Sequence, residues 1–65
     1  MKFIGVHFKT NNKIFAVNPL QITAIKPLEE GGTRIYYTDL LQHDDITEDY
    51  DTIVMKINDV LEGWL

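Results

Sequence analysis

Sixty-five residues without a cysteine make one small domain with no disulfide and no thiolate metal site to hold it together. An apolar share of 45% is too high for a disordered chain. The net charge of −4 is unevenly placed: four lysines against Glu29 and Glu30 leave residues 1–32 at +2, while Arg34 and Lys56 against eight acids leave residues 33–65 at −6, a balance that argues against binding a phosphate backbone.

A domain of about 60 residues buries only about 60% of the surface its unfolded chain exposes, so tight packing or oligomerisation must supply the rest. No stretch approaches the roughly 18 continuous apolar residues of a membrane span. The apolar run after Met1-Lys2 is broken by His7 and Lys9 and has no small-residue cleavage site. The expectation is a cytoplasmic protein.

The chain opens with KFIGVHFK, which alternates. Ile4, Val6 and Phe8 fall on one side, and Phe3, Gly5, His7 and Lys9 on the other, which predicts a strand over residues 2–9. Asn11-Asn12 tolerates positive φ and predicts a tight turn. The return strand spans 13–18 and ends at Pro19, which cannot donate a ladder hydrogen bond. ITAIK gives a third strand over 22–26, stopped by Pro27. Gly31-Gly32 can take left-handed geometry and reads as a hairpin turn. It precedes a strand, and no Lys-Ser or Lys-Thr pair follows, so it is not a phosphate loop. TRIYYTD gives a fourth strand over 33–38, with Thr33, Ile35 and Tyr37 on one face and Arg34, Tyr36 and Thr38 on the other. LLQHD allows a short fifth strand over 40–43, paired back through a turn at Asp39-Leu40.

Tyr50, Ile53, Val54, Ile57, Leu61 and Trp64, with Val60 beside them, recur every three or four residues. They predict an amphipathic helix over 48–62. Asp45 or Thr47 is the expected N-cap, with residues 45–48 as a variant capping box. Glu48, Asp49 and Asp51 fall in the first turn, where the helix dipole favours negative charge. Gly63 suits the position just past the helix end. The fold class expected is α+β: a four- or five-stranded antiparallel sheet, with the option of curling toward a half-barrel, followed by one C-terminal helix.

Both faces of several strands carry large apolar groups, and one helix of about 15 residues covers only one face. The other must curl into a small barrel, meet a partner or stay exposed, and exposed apolar patches mark interaction sites. A homo-oligomer is the favoured solution, with Phe3, Phe15, Tyr36 and Trp64 as the candidate interface residues.

Catalytic equipment is sparse. His7 and His43 lack metal-ligand spacing, and no serine or cysteine provides a nucleophile. HDDITEDYD lacks the alternate acids, central Gly and terminal Glu of a calcium loop. Arg34 alone among basic residues interleaves with the aromatic side chains that could stack on bases. The expectation is no enzyme activity, no cofactor and no metal. Asp44, Asp45, Glu48, Asp49 and Asp51 are candidates for a single acidic face.

VNPLQITAIKP, TRIYYTD and ITEDYDTIVMKI resemble the small FlbD-like proteins of bacterial flagellar operons and their uncharacterised relatives. The matching features are Asn18, Pro19, Ile22 and Ile25, then the Thr-led strand from Thr33 to Thr38, then Glu48, Ile53, Val54 and Ile57. The resemblance covers roughly residues 2–58 and implies neither activity nor cofactor. The leading functional expectation is a non-enzymatic, self-associating module that binds a protein partner. The alternatives are a phage or mobile-element inhibitor that occludes a host nucleic-acid enzyme with its acidic face, and an oligomer that sequesters small ligands.

Overall fold

The computed structural model describes residues 3–39 and 42–62. They form β1 (Ile4–His7), β2 (Ile14–Val17), a 3-10 turn at Pro19–Gln21, β3 (Ile22–Pro27), β4 (Thr33–Tyr37), β5 (His43–Ile46) and α1 (Tyr50–Glu62). The class is α+β with antiparallel pairing throughout.

The strands do not form one sheet. β1 and β2 make a two-stranded hairpin, and β3, β4 and β5 make a second, three-stranded sheet. The break falls at Asn18-Pro19. The Asn18 side chain accepts the Leu20 N–H at 3.0 Å, and the Gln21 N–H reaches back to the Asn18 carbonyl at 2.9 Å. These local bonds turn the backbone, and Pro19 has no N–H to offer a neighbour. β2 therefore pairs with β1 alone, and no closed barrel results.

The two sheets meet at one corner. An isolated bridge joins Phe8 to Ile46. It is flanked by the Lys9 N–H donating to the Asp45 carbonyl at 2.9 Å and the Thr47 N–H donating to the His7 carbonyl at 3.0 Å. The concave side holds Ile4, Val6, Val17, Ile35, Ile46 and Ile53, all buried. Ile53, Ile57 and Val60 of α1 close over it. Tyr50 and Leu61, expected on the same stripe, are exposed, so the covering face is narrower than the periodicity predicts.

Alternation read from the sequence gives the inward faces of β1 and β4. In β3 it breaks. Ile22 pairs with Tyr37 and Ala24 with Tyr36, leaving Thr23 as an extra residue in a bulge. The bulge lets Ile22 and Ile25, three apart, both pack against the core.

β5 runs over His43–Ile46 rather than 40–43. Leu40 and Leu41, and with them part of the expected strand and of the turn at Asp39-Leu40, lie outside the described residues, as do Gly63 and Trp64. The helix starts at Tyr50, not at 48, and its cap is Asp49 rather than Asp45 or Thr47. The Asp49 carboxylate accepts the Thr52 N–H at 3.0 Å, and its carbonyl accepts the Ile53 N–H at 3.1 Å. Asp45 and Ile46 are unavailable for capping because strand pairing with β4 claims them.

The turns carry the geometry their residues permit. Asn12 takes φ 58° in the first hairpin. Gly32 has φ +87°, and a Cβ built there would collide with the Ile46 carbonyl oxygen, so this position needs glycine twice over.

Candidate functional site

The outer side of the β1–β2 hairpin is apolar and open. Gly5 pairs with Ala16 across the ladder, giving a floor with almost no side chain. Phe3 and Ile14 stand on this side, 56% and 69% exposed. Ile14 leans over the floor, its Cδ1 3.7 Å from where a Gly5 Cβ would be. The helix covers the opposite side of the hairpin, so it cannot shelter these groups.

Among the described residues, one backbone edge of the same hairpin pairs with no other strand. The Phe8 N–H donates to the Lys13 carbonyl at 2.9 Å. Antiparallel pairs alternate, so Lys13, Phe15 and Val17 direct their backbone groups at β1 while Ile14 and Ala16 direct theirs away from it. β2 carries no charge and no proline over Ile14–Val17. Its edge is short, but over these four residues it has neither a guarding charge or proline nor a bulge.

A groove of about 430 Å³ is lined by residues of β2 and of the end of β4. Phe15, Val17 and Tyr37 supply apolar walls, and Gln21, Gln42 and Asp44 supply polar ones. The Tyr37 hydroxyl donates to Asp44 at 2.7 Å. Burial, with help from that bond, pushes the Tyr37 hydroxyl well above the usual tyrosine range and keeps it protonated.

The three interface candidates among the described residues, Phe3, Phe15 and Tyr36, fall in different settings. Phe3 is on the open face of the hairpin. Phe15 turns inward and stacks on Phe8, ring centroids 3.8 Å apart at 14°, which makes it a half-buried core residue that also walls the groove. Tyr36 sits half-buried on the outer face of the three-stranded sheet, tilted against His43 at 5.9 Å. Trp64 lies outside the described residues. Ile14 and the β2 edge are what sequence reasoning passed over as a site. The signal was present in IFAV, a strand free of charge and proline, next to a turn.

Four of the five acidic candidates have separate partners in the fold. Asp44 faces the groove. Asp45 accepts a forked pair of bonds from Arg34 at 2.8 and 3.2 Å, which holds its carboxyl below the usual range and the guanidinium above its own. Glu48 accepts the His7 N–H at 2.9 Å and lies 2.8 Å from His7 Nδ1. Against an ionised carboxylate, that nitrogen carries a proton. Burial opposes the Glu48 charge, but the His7 bonds outweigh it and the pKa is lowered. Asp49 caps the helix, with its pKa lowered by the Thr52 hydroxyl and N–H. Asp51 is exposed in the first helical turn.

Among the described residues, no three His, Asp or Glu side chains converge to hold a metal ion, and no helix is long and apolar enough to cross a membrane. Asn18, Pro19, Ile22, Ile25 and the Thr33–Thr38 stretch, which carry the family resemblance, fall in the turn and in β3, β4 and the residue after it, so they speak to fold rather than to activity. Comparison of the chain with family models, curated proteins and solved structures gave no match in any of the three.

Proposed function

We propose that this protein is a small, non-enzymatic interaction module that self-associates and binds a protein partner through the β1–β2 hairpin. The observation that carries this reading is the coincidence, on one hairpin, of a strand edge that takes no further strand among the described residues with exposed Phe3 and Ile14 on a floor of Gly5 and Ala16. Strand addition supplies backbone hydrogen bonds, and the flanking apolar side chains supply the desolvation that makes them count. Fully burying an isoleucine contributes about 1.5–3 kcal/mol, a useful share of the cost of association.

The polar side chains fit the same reading. The best-placed imidazole, His7, is engaged with Glu48, and that pair ties β1 to the start of α1. Asp45, Glu48, Asp44 and Asp49 each have a partner within the fold, in Arg34, His7, Tyr37 and the helix N-terminus, which favours a structural role for them over the acidic-inhibitor alternative.

Sedimentation velocity across the micromolar range tests the proposal. The expected result is a concentration-dependent shift above monomer, lost in Ile14→Lys. A monomer at every concentration overturns it.

A further inference from the structure

Given that self-association, the edge itself specifies a partner and a register. We infer that β2 pairs antiparallel with β2 of a second copy, centred on Phe15, and that Lys13 of each copy enters the groove of the other.

The register follows from backbone chemistry. Within β2, Ile14 and Ala16 present their N–H and C=O groups outward. Two identical edges satisfy all four of these residues at once only when Ile14 of one faces Ala16 of the other, in both directions. That places Phe15 across from the same residue of the second copy at the two-fold axis, as a closely spaced non-hydrogen-bonded pair in which aromatic side chains interact favourably. Ile14 then lies against a small alanine, and no like charges oppose each other along the ladder.

Charge selects a second copy over an arbitrary strand. In this register Lys13 stands opposite Val17 of the other copy, on the side shared by Phe15 and Val17. Val17 and Asp44 line the same groove. Asp44 accepts a bond from Tyr37 but has no cationic partner among the described residues, and Lys13, exposed at the hairpin end, has no ion-pair partner there either. One unpaired cation and one unpaired, half-buried carboxylate flank the edge at opposite ends. An antiparallel two-fold match brings each to the other, twice per dimer.

A cysteine-free chain permits a direct test of register. Ile14→Cys and Ala16→Cys both alter exposed positions. A hydrogen-bonded antiparallel pair separates Cα atoms by about 5.5 Å, inside the disulfide range of about 4.4–6.8 Å. Identical positions lie two residues out of step, beyond about 7 Å, where no bridge closes. Under mild oxidation the expected result is a crosslinked dimer from the 1:1 mixture of the two variants and little from either alone. Lys13→Glu is expected to weaken dimerisation about tenfold or more. Wild-type dimers by sedimentation with no preference for the mixed crosslink overturn the register and leave self-association standing. A crosslinking mixture with Lys13→Glu dimerising as well as wild type overturns the role of Lys13. A monomeric wild type overturns both the inference and the reading beneath it.

Discussion

Among the described residues, the outer edges of β2 and β3 take no partner strand, and they are built differently. β3, at the outer end of the three-stranded sheet, carries Lys26, then Pro27 with no N–H, and a bulge at Thr23 that distorts the ladder. Each of these discourages another strand from docking. β2, at the end of the hairpin, offers four uncharged residues in regular register. A protein that guarded every edge against aggregation would not leave this one plain. Under the proposed function, the contrast separates an edge protected from strand addition from one open to it.

That contrast presumes that hairpin and sheet are locked together, and the strongest perturbation tests the lock. Gly32→Ala should destabilise the fold by more than about 2 kcal/mol, because it forces a side chain into positive φ and against Ile46, the residue that bridges to Phe8. Gly31→Ala, with similar φ but open space around it, should cost only about 1–2 kcal/mol. Urea denaturation of both variants decides whether the crowding at the corner, rather than the turn alone, is what matters.

Next in size is the tie between His7 and Glu48. Glu48→Ala leaves the His7 N–H without its acceptor and should cost about 1–3 kcal/mol. Glu48→Gln keeps an acceptor and should cost less. The Glu48 pKa is lowered in the folded state, so its contribution is present above the ordinary glutamate value of 4.5 and is lost as pH falls through the folded value. Asp45, lowered by Arg34, adds loss of the same sign from its ordinary value of 3.8 downward. Denaturation midpoints measured from pH 6 to 2.5 should fall steeply for wild type and more gently for Glu48→Ala. Parallel curves would remove Glu48 from the account of acid stability.

Smaller in stability, but direct on the comparison, is the guarded edge. Replacing Lys26 and Pro27 together by valine should leave the fold intact and produce species larger than those of wild type in sedimentation. Unchanged sedimentation would mean that the bulge at Thr23 suffices as a guard. The smallest effect expected is from Asp49→Ala, which removes the helix cap and should lower the melting temperature by a few degrees without altering association.

Much of this was legible in the residues. Ile4 and Val6 against Gly5 and His7, and Thr33 and Ile35 against Arg34, announce which way two strands face, because a pleated backbone sends alternate side chains to opposite sides. Asn12, Gly31 and Gly32 announce their turns because few residues tolerate positive φ. The acids were harder. Asp44 and Asp45 look like a helix start, since carboxylates near a run of helix formers commonly cap it. Nothing in their own identity says that Tyr37 and Arg34 will be waiting across a ladder. The site was legible in part: the excess of apolar side chains on the outward side of the first hairpin can be counted, but Phe15 and Ile14 exchange roles once the inward face is fixed.

Local chemistry therefore determined the strands, the turns, the helix and the surplus of apolar surface, because those depend on neighbours within a few residues. The tertiary structure alone decided that the strands divide two and three, that the sheets touch at Phe8 and Ile46, and that the second edge of β2 takes no strand among the described residues. Those outcomes turn on which backbone hydrogen bonds win between segments far apart in the chain. Apart from proline, every residue's backbone offers the same donor and acceptor, so the choice among edges rests largely on the packing of the whole core.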